Sequence, residues 1–166
     1  YKLVEKNDTH FWEQGDVPVV FELDGLKFSV PICFEDTFGY IGRRFVNNGA
    51  RAFVNMSNDS WARSRACQLQ HLSMAVFRSV ENRVPSVRAT ASGETVFVDP
   101  NGRITASIAP FEENYLVSTI PLITDYKPTI YTRFGDYAGV LFTIFAFILL
   151  IFGGIMQIYK KSKKEK

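Results

Sequence analysis

Cysteine is scarce in this chain: two among 166 residues, Cys33 and Cys67. Two cysteines cannot staple a small disulfide scaffold. Eleven glycines exclude a collagen-like repeat, and 15 Phe with 7 Tyr exclude disorder over most of the length. An excess of basic charge is lacking as well. The net charge is +2, but residues 160–166, KKSKKEK, hold five lysines and one glutamate, so the rest of the chain sums to −2. A slightly acidic folded part gives no case for nucleic acid as a partner. No His/Cys cluster has metal-ligand spacing, and nothing in the pattern calls for a cofactor. There is no internal repeat and no low-complexity tract. The length suits one domain with a real core, and not two independent ones.

One long apolar run is present. Residues 137–159, YAGVLFTIFAFILLIFGGIMQIY, contain no charge. As a helix they would measure about 34 Å, enough for a hydrocarbon core of about 30 Å. Tyr137 and Tyr159 mark its ends, where aromatic belts sit. A domain this small cannot enclose such a helix on every side, so a membrane span is expected. The lysines of 160–166 predict a cytoplasmic C-terminus, with the preceding domain on the periplasmic or extracellular side. The opening residues YKLVEKNDTHFW hold no apolar export signal, and the first residue is not Met. The expectation is therefore a C-terminal piece of a longer membrane protein.

Residues 17–23 and 26–33 read as two strands joined by the Asp24-Gly25 hairpin turn. Residues 37–48 read as a helix capped by Thr37 and stopped at Gly49. A strand at 50–57, the polar loop Asn58-Asp59-Ser60-Trp61 and a long helix at 64–83 follow. Strands are expected at 85–91, 94–99 and 103–108, with turns at Ser92-Gly93 and Pro100-Asn101-Gly102, and a further strand at 115–120. Residues 121–136 read as a connector. This order predicts an α/β layered sheet with both helices on one face.

Cys33 ends a predicted strand just before a loop and helix, the place where α/β folds carry ligands and nucleophiles. A helix N-terminus there would stabilise a thiolate. Glu35 points the same way as Cys33 in an extended or tightly turned segment. Two other readings stand beside this one: a buried core cysteine, and a Cys33–Cys67 disulfide in an exported domain. The neighbouring carboxylates alone would raise the thiol pKa, so a cationic partner is required. Asn58, Asp59 and Trp61 can orient a substrate and wall its pocket. The same loop reads equally as a strand-to-helix turn with Asx-type bonds. His71, alone on its helix, reads as a structural hydrogen-bonding residue.

The segment PICFED (31–36) resembles the Cys-x-Glu motif of the carbon–nitrogen hydrolase (nitrilase) superfamily. NMSNDSW (55–61), the run QLQHLSMAVFRSVENRVPSVRATASGETVFVDPNGRI (68–104) and the closing apolar helix are similar, in that order, to its apolipoprotein N-acyltransferase branch. The resemblance implies part of an αββα sandwich for residues 1–120, a connector at 121–136, a transmembrane helix at 137–159 and a basic cytoplasmic tail at 160–166. It implies a Glu-Lys-Cys triad in which Cys33 is the nucleophile and the Glu and Lys precede residue 1. Lys2 and Lys6 lie too near Cys33 in sequence to be that lysine, and Glu35 is a supporting residue. The implied reaction takes an acyl chain from phospholipid, through a Cys33 thioester, to the N-terminal amine of a diacylglyceryl apolipoprotein. The implied location is the bacterial inner membrane, with the catalytic domain periplasmic. A membrane-tethered amidase and a non-catalytic anchored fragment are the alternatives.

Overall fold

The structure is a computed structural model, and it describes residues 15–164. Lys2, Lys6 and the opening segment lie outside the described residues. Two short antiparallel strands, β1 (Phe21–Leu23) and β2 (Leu26–Phe28), form the expected hairpin. Asp24 and Gly25 both take positive φ, 48° and 82°, as a two-residue turn between right-twisted strands requires. The second strand is shorter than the expected 26–33. After Phe28 the chain leaves the hairpin and runs parallel to β3 (Phe53–Asn58), through the bridges Ser29–Phe53 and Ile32–Met56. Pro31, which has no N–H to give a ladder, sits in this transition.

The main sheet has the order β3, β4 (Ser86–Ala91), β5 (Thr95–Val98), β6 (Ile104–Ile108). The β3–β4 pair is parallel and the other two are antiparallel. Helix α1 (Gly39–Asn47) precedes β3, and α2 (Arg65–Asn82) connects β3 to β4. Register places Phe53, Ser86 and Val98 in one cross-strand row and Asn55, Arg88 and Val96 in the next. These rows face the helices. Phe45, Val46, Ala50, Phe53 and Val84 form one core cluster, with Val20, Ile41 and Tyr126 against it. Leu72, Val96 and Val98 form a second. A Cβ at Gly42 would stand 3.2 Å from Arg78 Cδ and 3.6 Å from Phe53 Cζ, so α1 and α2 meet over the same sheet face.

Three expectations need correction. Residues 115–120 form no strand; Tyr115 and Val117 are 84% and 85% exposed, because no described strand offers them a ladder. The first helix does not start at Thr37. Residues Cys33–Thr37 form a 3-10 turn, the Thr37 hydroxyl donates to the Phe34 carbonyl at 2.8 Å, and α1 opens at Gly39. Residues 121–136 are more than a connector, since they contain the single-turn helix α3 (Ile130–Phe134) docked on the domain. Helix α4 (Tyr137–Lys164) follows. Its stretch Tyr137–Lys161 has a mean hydropathy of 2.6 in its most apolar window, none of it buried, so it is long and apolar enough to cross a membrane.

Candidate active site

Cys33 opens the 3-10 turn with φ of 51°, a left-handed conformation that a side chain rarely adopts without outside support. The support comes from both directions in sequence. Asn55, buried on β3, donates from Nδ2 to the carbonyls of Pro31 and Cys33, each at 3.1 Å. Glu35 reaches back and accepts the Ile32 N–H at Oε2, 2.8 Å away. The residues around the thiol are thus pinned to β3 and to each other. Both cysteines are free and half-buried. A helix N-terminus does not supply the expected charge stabilisation, because α1 begins six residues after Cys33 and the turn between is 3-10.

Behind the turn lies a buried ion cluster. Arg88 Nε donates to Asp36 Oδ2 at 3.1 Å, and Arg88 Nη2 to Asp59 Oδ2 at 3.0 Å. His71 sits between them, with Nε2 2.9 Å from Asp36 Oδ1 and Nδ1 3.1 Å from Asp59 Oδ1. Arg88 has only donors, and its Nη2 is 2.9 Å from His71 Nδ1. It is also 3.3 Å from Nε2, so each ring nitrogen of His71 has one carboxylate and the Arg88 guanidinium within reach, and the tautomer sets which of them donates. The Ser57 hydroxyl completes Asp59 Oδ1 at 2.7 Å. None of the four charged or titratable members is more than 4% exposed. Buried charge at this density holds only when each member has a partner. The Phe34 ring, 5.1 Å from the imidazole, covers the cluster on the turn side. Gly93 allows the β4–β5 turn to close over it, since a Cβ there would overlap the Asp59 carboxylate.

Among the described residues, Asn55 Oδ1 and Arg88 Nη1 find no partner and are buried. Both residues line a cavity of about 20 Å³ with Pro31, Leu72 and Val96, the volume that one water molecule needs. Farther along α2, Arg78 donates from Nη1 to the Thr37 carbonyl at 2.7 Å and from Nη2 to Glu81 Oε1 at 2.8 Å. Burial nonetheless raises the Glu81 carboxyl above its ordinary value, because it outweighs the Arg78 guanidinium, and the Asp136 charge adds to it. Burial, with Glu81 and Asp136 nearby, raises the Tyr131 phenol as well.

The expected site residues separate into three groups. Cys33 and Glu35 share the turn. Asn58 and Trp61 are exposed, Trp61 at 59%, and Asn58 Oδ1 accepts the Ser60 N–H at 3.1 Å in a local Asx bond. Asp59, expected to face a substrate, is fully buried with both oxygens engaged, and so holds the loop from inside. His71 has the structural role expected of it. Asn55, Asp36 and Arg88 were not singled out by sequence. The signals were the place of Asn55 in the strand leading to the polar loop, of Asp36 beside Glu35, and of Arg88 within the run 68–104 that carries the resemblance.

A carbon–nitrogen hydrolase profile matches residues 1–127. Over 98% of its length the chain is 47% identical to apolipoprotein N-acyltransferase 1 of Treponema denticola, of which it covers 30%. Over 96% it is 51% identical to apolipoprotein N-acyltransferase 1 of Treponema pallidum, of which it covers 29%. The chain thus spans less than a third of these relatives. Its fold is similar to the carbon–nitrogen hydrolase of Helicobacter pylori G27 (TM-score 0.55, 14% identity, 62% of this chain and 43% of that one). It is also similar to Nit3 of Saccharomyces cerevisiae, a nitrilase-superfamily member (TM-score 0.51, 24% identity, 61% and 40%). The profile match over most of the chain and the shared fold establish that this chain belongs to the carbon–nitrogen hydrolase family, as a homologue of its apolipoprotein N-acyltransferases.

Proposed function

We propose that this chain carries the nucleophile-bearing part of a lipoprotein N-acyltransferase, with Cys33 as the nucleophile. The observation that carries the reading is the left-handed Cys33 turn, clamped by Asn55 and Glu35, in a chain 47% identical to a named apolipoprotein N-acyltransferase. In the first half-reaction a general base takes the thiol proton and the sulfur attacks the sn-1 ester carbonyl of a phospholipid. The C–O bond breaks, the proton goes to the departing alkoxide, and lysophospholipid leaves an acyl thioester on Cys33. In the second, the free α-amine of a diacylglyceryl-cysteine attacks the thioester. The acyl C–S bond breaks as the amide C–N bond forms, and the proton lost by the amine returns to the departing Cys33 thiolate. The base and the cation facing the oxyanion come from chain beyond this span. Glu35 positions the loop, and Asn58 and Trp61 border the substrate site.

Helix α4 crosses the inner membrane, with Cys33 on the periplasmic side and 160–166 in the cytoplasm. Both substrates are lipid-anchored, so a tethered domain meets them at the bilayer surface.

The test uses the full-length protein with phospholipid vesicles and a diacylglyceryl peptide, followed by mass spectrometry. Cys33→Ala should abolish both the acyl-thioester and the N-acylated product, while Cys67→Ala retains them. Equal loss from both, with a Cys33–Cys67 crosslink, overturns the reading. Ammonia release from a small amide without acyl transfer makes the protein an amidase. A reporter fused after Lys166 should be active only as a cytoplasmic type; periplasmic-type activity overturns the orientation.

A further inference from the structure

Residues 126–135 form an elbow between the domain and α4, and its two faces differ. The inner face is polar and bonded. The Tyr126 hydroxyl donates to the Asn82 carbonyl at 2.9 Å, and the Arg51 guanidinium lies 4.2 Å over its ring. Thr132, 1% exposed, donates from Oγ1 to Asn82 Oδ1 at 3.0 Å. Arg43 on α1 donates to the Thr132 carbonyl at 2.9 Å and to the Arg133 carbonyl at 2.8 Å. The Thr129 hydroxyl bonds the Glu81 carbonyl.

This docking reaches the nucleophile turn. The Tyr131 hydroxyl packs on Gly39 so closely that a Cβ there would overlap it. Gly39 stands two residues after Thr37, whose carbonyl Arg78 holds. The elbow and the Cys33–Thr37 turn are therefore fastened to the same ends of α1 and α2.

The outer face is apolar and bare. Ile130 and Phe134, one helical turn apart on α3, are 62% and 69% exposed. Phe134 precedes by three residues the Tyr137 that starts the apolar helix. Large exposed hydrophobes this close to a membrane-crossing segment lie where the headgroup region begins.

We propose that the elbow is an interfacial foot. Ile130 and Phe134 rest in the headgroup–acyl boundary of the bilayer that α4 enters. Through Tyr131, Gly39 and Arg78 the foot fixes the distance and tilt of the Cys33 turn relative to lipid-held substrates. The inference rests on the acyl-transfer reading and on α4 as a span.

Two measurements on the full-length protein in phosphatidylethanolamine–phosphatidylglycerol vesicles test it. In the first, nitroxide labels at Ile130→Cys, Phe134→Cys and Arg133→Cys in a cysteine-free background report depth from oxygen and nickel-chelate access. The labels at 130 and 134 should be oxygen-accessible and chelate-protected, and the one at 133 chelate-accessible. Aqueous readings at 130 and 134 overturn the proposal. So does exclusion of both probes there, which means that another protein segment covers this face. In the second, Ile130→Ser with Phe134→Ser should slow Cys33 thioester formation from vesicle phospholipid by about tenfold relative to a water-soluble short-chain acyl thioester. Equal loss with both donors overturns it. If the unsubstituted protein forms no thioester from either donor, the acyl-transfer reading fails, and the depth measurement still decides whether the foot exists.

Discussion

Asn55 Nδ2 donates to the Cys33 carbonyl across 3.1 Å, from a strand residue 22 positions later in the chain. The bond meets the backbone where it turns left-handed at φ 51°. Replacing the donor with an acceptor should release the turn. Asn55→Asp, which puts a carboxylate oxygen against that carbonyl, is expected to cut Cys33 thioester formation by about tenfold to a hundredfold. Asn55→Ala should cost less. Iodoacetamide labelling of Cys33 and mass spectrometry give the comparison. Normal rates in Asn55→Asp would show that the turn holds itself.

Among the described residues, Arg88 is the one guanidinium in contact with the Asp36 and Asp59 carboxylates. Arg88→Met keeps much of the volume and removes the charge, leaving two buried carboxylates with only His71 between them. We expect a loss of about 3–5 kcal/mol in unfolding free energy. Denaturant unfolding with Cys33 accessibility as the probe measures it. A loss below about 1 kcal/mol would mean that water reaches the cluster and screens it.

Glu35 and Trp61 should separate in their effects. Glu35→Ala removes the acceptor for the Ile32 N–H and should slow thioester formation by disordering the Cys33 turn. Trp61, 59% exposed, should slow acyl transfer when changed to Ala without loss of the fold. Thioester formation from phospholipid alone, set against complete transfer, locates each effect. A Trp61→Ala protein with both rates normal makes Trp61 a surface aromatic only.

Glu81 predicts a pH dependence. Burial raises its folded-state pKa above the ordinary value of 4.5, so the folded protein binds its proton more tightly than the unfolded chain. Its contribution is full below 4.5 and is lost as pH rises through the raised value. The thermal stability of the parent relative to Glu81→Gln should therefore fall as pH rises through that window. A difference that is flat or grows with pH contradicts the assignment.

The sequence by itself determined what depends on near neighbours. Asp24-Gly25 and Pro100-Asn101-Gly102 mark hairpins because their φ requirements are local, and Gly25 and Gly102 both take φ of 82°. The apolar periodicity of 64–83 marks α2, which spans Arg65–Asn82, and the uncharged run from Tyr137 marks α4. The Cys-x-Glu segment was legible as a candidate site just ahead of the first helix, where the structure has the Cys33–Thr37 turn. Only the tertiary structure decided what surrounds it. Asp36 meets His71 from 35 positions away and Arg88 from 52, because the parallel β3–β4 register sets Asn55 beside Arg88 on the face that α2 covers. No local pattern encodes that convergence; each of these residues taken alone reads as a surface polar group or a turn former. The elbow is the same case. Its hydrogen bonds reach α1 and α2 across 44 to 90 positions, and only the packed helices bring their polar ends into one place.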